Sequence, residues 1–306
     1  MRPLRGRMEI IMQYVDSFSL ASERDEVDFI LSFPYKLEMA CYATENNPYP
    51  FKIFPQKQLR RLDFGTVTMF YGGNGSGKST LLNIIAEKLK LKRSAPFNNT
   101  PLFEEYLRYC SYELTFGKKA PDGSKIIASD DVFDFLLDVR KINEGIDRRR
   151  EELFDEYERI KNTKEFRVNS IEDYEELKYH NEGKRKTKSA FTAKRLPKEL
   201  VGMSNGESAF SVFTREIKND ALYLLDEPEN SLSAKLQNEL VGFIEDSVRF
   251  YNCQFIISTH SPFLLSLKGA KIYDLDCVPV QSKKWTELEN IRVYHDLFER
   301  HKDSFK

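Results

Sequence analysis

The sequence predicts an α/β fold: a mostly parallel central sheet, a flanking antiparallel β part and a helical insertion. Three observations carry that prediction. Apolar, β-rich runs alternate with helical runs in both the earlier and later parts of the chain. A glycine-rich turn, Gly72-Gly73-Asn74-Gly75-Ser76-Gly77-Lys78-Ser79, joins one such run to a helical one. Two further apolar runs end abruptly in polar residues, at Asp226-Glu227 and at Ser258-Thr259-His260. Alternation of this kind puts helices on the faces of a parallel sheet and ligands at the carboxyl ends of its strands.

Taken in order, Val27 to Phe33, Leu37 to Tyr42 and Phe51 to Phe54 are apolar and β-biased, separated by turn-rich stretches such as Asn46-Asn47-Pro48. They predict antiparallel strands beside the main sheet. Thr66 to Tyr71 reads as a strand. After the glycine turn, Leu81, Leu82, Ile84, Ile85 and Leu89 recur at helical spacing. Pro96 to Gly123 is rich in proline and asparagine and reads as loop. Ile126 to Ala128 reads as a short strand and Val132 to Ile142 as a helix. Residues 139–195 are dense in Asp, Glu, Lys and Arg, with Ile142, Ile146, Leu153, Tyr157 and Ile160 forming one apolar stripe. Tyr174, Leu177 and Phe191 mark a return segment, so this stretch reads as a charged helical arm between two parts of one head, 1–138 and 196–306. Beyond it, Glu207 to Ile217 predicts a helix, Ala221 to Leu225 a buried strand and Ala234 to Tyr251 an amphipathic helix. Gln254 to Ser258 and Lys271 to Leu275 predict further strands. The end helix (Ile291, Tyr294, Leu297, Phe298) is expected to pack on the head.

The glycine turn fits G-x-x-x-x-G-K-[ST], in the strand–turn–helix context that this motif requires. Glycines let the backbone curl so that successive N–H groups point at phosphate oxygens, and the helix start adds unpaired donors and partial positive charge. Gly72 to Ser79, with Thr80 behind them, are therefore the candidate phosphate-binding residues. Lys78 would reach the β- and γ-phosphates, and the Ser79 hydroxyl would join the Mg²⁺ shell.

Leu222 to Leu225 lead into Asp226 and Glu227. Two carboxylates at a buried strand end are costly unless a cation or hydrogen bonds offset them. Beside a triphosphate, Asp226 would hold Mg²⁺ and Glu227 would take a proton from the attacking water. The bland alternative is a solvated strand end. His260, 34 residues after Asp226, can donate a hydrogen bond to a phosphate or to that water. Most lone histidines are structural, but this one follows a buried strand. Ser204-Asn205-Gly206-Glu207 opens a helix, and an N-cap would explain Ser204 alone.

Composition narrows the partners. The formal net charge of −1 gives no global field toward nucleic acid or membrane. Cys41, Cys110, Cys253 and Cys277 are widely spaced and read as free thiols of a reducing cytosol. No transmembrane run occurs, and the apolar stretch after the basic residues Met1 to Arg7 is too short for a secretory signal.

Together these motifs resemble the soluble branch of the ABC-type ATPases, the SMC-like and RecF-like heads, and bacterial AAA-family ATP-binding proteins. The resemblance covers roughly 25–138 and 196–300. It implies a P-loop fold of the ABC type that binds ATP and Mg²⁺. It makes Lys78, Glu227 and His260 the catalytic residues and Ser79 and Asp226 the metal residues. Ser204-Asn205-Gly206-Glu207 is similar to the signature motif, which acts in trans. The resemblance therefore implies a head-to-tail homodimer in which Ser204 and Gly206 meet the γ-phosphate held by the partner's Lys78. Asn230-Ser231-Leu232-Ser233 falls at the D-loop, with Ser233 where aspartate is usual. No glutamine lies between Ser79 and Ser204, so Ser129 or Asp130 is expected in place of the Q-loop residue, with a helix N-cap as the equal alternative for them. Tyr49, Phe51 and Phe54 are candidates to stack on adenine, although core packing competes for most of them.

Arg148-Arg149-Arg150 and Lys184-Arg185-Lys186-Thr187-Lys188 could meet a phosphate backbone. Interleaved acids such as Glu151, Glu152, Asp155 and Glu156 favour a solvated face or a protein-docking arm. The leading functional expectation is an ATP-hydrolysing switch that serves DNA maintenance, defence against foreign DNA or a partner effector. The alternatives are a nucleotide-sensing scaffold with slow turnover and, less favoured, a transporter's nucleotide-binding subunit.

Overall fold

The computed structural model describes residues 13–31, 48–97, 99–115, 119–163, 174–196 and 205–305. The expected strand at Leu37 to Tyr42, the N-terminal basic residues, Cys41 and Ser204 lie outside them. The chain divides into two compact units, one formed by 1–132 with 205–306 and the other by 133–204.

The first unit holds two sheets. β1 (Val15–Ser19) leads into α1 (Glu23–Leu31), where the sequence had suggested a strand from Val27. The overlooked signal is a reciprocal cap: Asp25 N donates to Ser22 Oγ (3.2 Å) and Ser22 N to Asp25 Oδ2 (2.9 Å). Phe51 to Phe54 is likewise not a strand. It is a turn that sends Phe51 and Phe54 into the core, with Phe51 stacked on Phe29 at 4.5 Å. β2 (Arg61–Asp63), β3 (Val67–Tyr71) and α2 (Lys78–Lys88) follow.

The stretch read as loop contains α3 (Pro101–Tyr109) and β4 (Ser111–Leu114). Thr100 caps α3 by accepting from Phe103 N (3.2 Å). Pro101 sits in the first turn, where its missing N–H costs nothing. The antiparallel sheet has the order β2-β1-β4. An antiparallel flank is present as expected, but it is built from strands other than those read in the sequence.

β5 (Lys125–Ala128) precedes α4 (Ser129–Asn162), which runs from the first unit into the second. In the second unit α5 (Tyr174–Arg185) and α6 (Lys188–Ala193) follow. Its small core joins Leu153, Ile160 and Phe191, with Tyr157 and Tyr179 packed against them. This accounts for three of the stripe positions, and Ile146 is buried as well. The basic residues are largely paired with neighbouring acids, Arg149 with Glu152 (2.7 Å) and Lys188 with Glu158 (2.8 Å).

The first unit resumes with α7 (Asn205–Glu216), β6 (Leu222–Asp226), α8 (Ala234–Tyr251), β7 (Gln254–Ser258), α9 (Pro262–Leu265), β8 (Lys271–Asp274), β9 (Gln281–Lys283) and α10 (Glu289–Arg300). The main sheet has the order β5-β6-β7-β3-β8-β9, parallel except for β9. Its central strands are mostly apolar and buried at nearly every position, as parallel sheets covered on both faces are. The fold is thus the P-loop α/β class that the motifs predict. The end helix departs from expectation. It buries Ile291 but leaves Tyr294, Leu297 and Phe298 46%, 42% and 56% exposed. Among the described residues no helix is long and apolar enough to cross a membrane.

Parallel register decides where the chemistry collects. Phe70 pairs with Ser258, and Asp226 pairs with Ser258 on its other side. The carboxyl ends of β3, β7 and β6 therefore finish in one row, with the glycine turn leaving directly from it.

Candidate functional site

The glycine turn curls through positive φ at Gly75 (78°) and Gly77 (95°), a region that side-chain-bearing residues rarely adopt. A Cβ at Gly72 would stand 2.7 Å from Ser76 Oγ, so the turn is also closed sterically. Gly73 N donates to Asp276 Oδ2 (2.7 Å), which ties the turn to the segment after β8. Lys78 opens α2 and is only 4% exposed. Its ammonium donates to Gly72 O (2.9 Å) and Gly73 O (3.3 Å) and meets His260 Nε2 at 2.8 Å. An ammonium has no acceptor, so in this contact Lys78 can only donate. Glu227 Oε1 completes the cluster, 3.6 Å from Lys78 Nζ and 3.4 Å from His260 Nε2.

Asp226 Oδ1 accepts from Ser79 Oγ at 3.1 Å and from Ser258 Oγ. Burial pushes the Asp226 carboxyl above the ordinary range, against the pull of these two hydroxyls, and the neighbouring Glu227 charge adds to the rise. A carboxylate held at this cost beside a hydroxyl and an ammonium suits a hard cation. Glu227 itself has φ 47°. Its N–H donates to Ser258 O (3.0 Å) and Ser258 Oγ (3.1 Å), and its Oε2 accepts from Asn230 Nδ2 (3.2 Å). The sequence-predicted residues Lys78, Ser79, Asp226, Glu227 and His260 thus meet at one point.

A cavity of about 290 Å³ opens beside that point, lined by Ser79, Arg93, Ser129, Asp130, Asp226 and Glu227 among others. Ser129 and Asp130, the two candidates for the missing glutamine, both face it. Asp131 does not serve there: its carboxylate accepts from Ala95 N (2.6 Å) and Ala128 N (2.7 Å). Tyr49 donates to Thr80 Oγ1 (3.3 Å) at the first turn of α2. Phe51 and Phe54, by contrast, are core residues at 1% and 0% exposure.

The donor set fits a magnesium nucleotide. The glycine turn supplies backbone N–H groups and an ammonium for phosphate. Ser79 and Asp226 supply one hydroxyl and one carboxylate oxygen for Mg²⁺, which usually takes few protein ligands. Gly206 lies in the first turn of α7. Ser233, in the segment expected to be the D-loop, caps α8 by accepting from Leu236 N (3.4 Å).

Sequence reasoning missed four contributors. Ser258 supports both Asp226 and Glu227, and only the strand register reveals it. Arg93 is half-buried, and burial lowers its guanidinium below the usual range. It donates to Asn83 Oδ1 (2.6 Å), pairs with Glu87 (3.3 Å) and lies 3.9 Å over the Phe97 ring. Glu229 and Asp276 are tied to the site by long-range hydrogen bonds that no local spacing announces.

A family model described as "AAA domain, putative AbiEii toxin, Type IV TA system" matches residues 67–266. That span is 200 of the 306 residues and includes every described residue of the cluster. No curated protein matches the sequence. Among solved structures, an SmcHead bound to the C-winged helix domain of ScpA is similar at 18% identity, covering 76% of this chain and 94% of that one, with a TM-score of 0.37. The SMC head domain from Thermotoga maritima is 18% identical over 70% of this chain and 88% of its own, with a TM-score of 0.34. The dimeric ATP-binding cassette MJ0796 bound to ADP and Pi is 16% identical over 74% and 90%, with a TM-score of 0.35.

Proposed function

The chain belongs to this AAA-domain family of nucleotide-binding P-loop ATPases, and from that premise we propose that it hydrolyses ATP as a switch. The observation that carries the proposal is the meeting of Lys78, Glu227 and His260 within 3.6 Å of one another, beside the hydroxyl–carboxylate pair of Ser79 and Asp226. Lys78 and the N–H groups of Gly75, Gly77, Lys78 and Ser79 bind and orient the phosphates, while Gly73 N is taken by Asp276. Ser79 and Asp226 would hold Mg²⁺, which would supply charge neutralisation to the bound phosphates. Glu227 orients the attacking water and takes its proton, its carboxylate kept in place by Asn230 and by the Ser258 bonds to its backbone. His260 meets Lys78 through Nε2 and lies close enough to Glu227 to share the same water.

We propose further that the nucleotide closes two copies head to tail, with Ser204 and Gly206 of one copy completing the site of the other. The closed and open forms would then be read by an effector in DNA maintenance or anti-phage defence. The family's description, which names a type IV toxin–antitoxin system, supports the defence context. Phosphate release by the wild type beside Glu227→Gln tests the enzyme reading, and light scattering of the same variant with Mg-ATP tests closure. Release that Glu227→Gln abolishes, with a nucleotide-trapped dimer, supports both. Equal and negligible release in the two proteins would leave a nucleotide-sensing scaffold.

A further inference from the structure

One oxygen of a single carboxylate gathers three donors from the neighbouring strand end. Glu229 Oε1 accepts from His260 N (2.6 Å), Thr259 Oγ1 (2.7 Å) and Ser261 N (3.1 Å). Its Oε2 is shielded from solvent and has no hydrogen-bond partner among the described residues. Burial alone would favour a neutral acid here, and the three donors work against it.

The ladder between β6 and β7 ends at the pair Asp226–Ser258. Past that pair the two chains diverge into the segments that carry Glu227 and His260. Glu227 N still reaches Ser258, and Glu229 then bridges to residues 259–261. Those residues do not need it to start the next helix. Ser261 caps α9 itself by accepting from Phe263 N (3.1 Å) and Leu264 N (3.3 Å), and its hydroxyl donates to Gln237 Oε1 (2.7 Å). What Glu229 adds is the placement of Thr259 and of the His260 backbone.

Resting on the hydrolytic reading above, we infer that Glu229 is a positioning residue: through its bonds to Thr259, His260 and Ser261 it sets the His260 imidazole against Glu227 and Lys78. It touches neither Lys78 nor the glycine turn in any bond of the structure. Its loss should therefore slow turnover and leave nucleotide affinity intact.

The test compares Glu229→Gln and Glu229→Leu with the wild type. It measures phosphate release, calorimetric binding of magnesium with a non-hydrolysable ATP analogue, and the nitrogen-15 signals of the His260 ring. Glu229→Gln keeps an acceptor oxygen and should stay within about threefold of wild type, whereas Glu229→Leu should slow release by about tenfold or more with affinity within about threefold. The leucine variant should also shift the His260 ring signals. The inference is overturned if the leucine variant keeps both rate and ring signals. It is equally overturned if affinity falls in step with rate, or if the glutamine variant, folded, behaves like leucine. Should Glu229→Leu fail to fold, Thr259→Val removes one of the three donors. Unchanged ring signals in that variant overturn the inference, and shifted ones support it. If the wild type itself releases no more phosphate than Glu227→Gln, the hydrolytic reading fails. The ring signals then still judge the clamp.

Discussion

Lys78 Nζ and His260 Nε2 stand 2.8 Å apart although 182 positions separate the two residues. The contact joins the start of α2 to the segment just past β7. It also shows an ammonium almost fully withdrawn from water and held by two carbonyls, an imidazole and a carboxylate.

Lys78→Ala should therefore cost nucleotide affinity before anything else. A charged hydrogen bond to phosphate contributes roughly 1.5–3 kcal/mol, so affinity should fall by about 10- to 100-fold. Calorimetric titration with Mg-ATP checks it. Wild-type affinity in the alanine variant would mean that the glycine turn alone holds the phosphates.

Asp226→Asn separates stability from function. The native carboxyl is pushed upward by burial, so the charged form is a cost to the fold without a cation. The amide removes that charge and can still accept from Ser79 and Ser258. The melting temperature without nucleotide should rise or hold, while the extra stabilisation given by magnesium over nucleotide alone should vanish. Thermal melts with ATP, with and without magnesium, read both effects. A lower melting temperature together with a persisting magnesium effect would contradict this role for Asp226.

The residues just discussed were legible in the sequence because each lies in a continuous stretch whose local structure forces it to a strand end. The glycine turn, Asp226-Glu227 and His260 needed only a strand on one side. The supporting residues were not legible, for a physical reason. Ser258 faces Asp226 only because β6 and β7 pair in that register, and Asp276 reaches Gly73 across 203 positions. Local errors had local causes: the apolar residues of α1 mimic a strand, and the proline that opens α3 mimics a loop. In both places the capping residue, Ser22 or Thr100, was the signal to weigh. The end helix carries an apolar face that the described residues of this chain leave mostly uncovered, which no periodicity could foretell.

Glu26 gives a pH dependence whose sign can be worked out. Its Oε2 accepts from Lys52 N (2.7 Å), while Oε1 is buried without a partner among the described residues. Burial raises the carboxyl from 4.5 to about 7. Between those values the folded protein holds a proton that the unfolded chain has released. Stability therefore falls as pH rises through that window and levels off above about 7. Glu26→Gln keeps an acceptor for Lys52 and removes the titration. Urea unfolding at pH 5 and pH 8 should show the wild type losing roughly 1–3 kcal/mol that the variant retains. Equal losses in both proteins would place the titration elsewhere.

Phe191→Ala tests what holds the charged helical unit together. Phe191 is fully buried between Leu153 and Ile160, with Tyr157 and Tyr179 at its edges. The Arg195 guanidinium lies 3.9 Å over its ring and pairs with Glu182, which also takes Lys186 and Lys194. Those ion pairs are only partly buried, at the edge of the unit, and contribute modestly by themselves. The ring they cover is the largest apolar group in the unit's small core, and truncating it should cost about 3–5 kcal/mol locally. Hydrogen exchange should then quicken across α6 and the second half of α4, while the backbone of α2 behind the glycine turn stays protected. Exchange in the variant that matches wild type around Leu153 and Ile160 would mean that the ion pairs, not the aromatic cluster, keep these helices together.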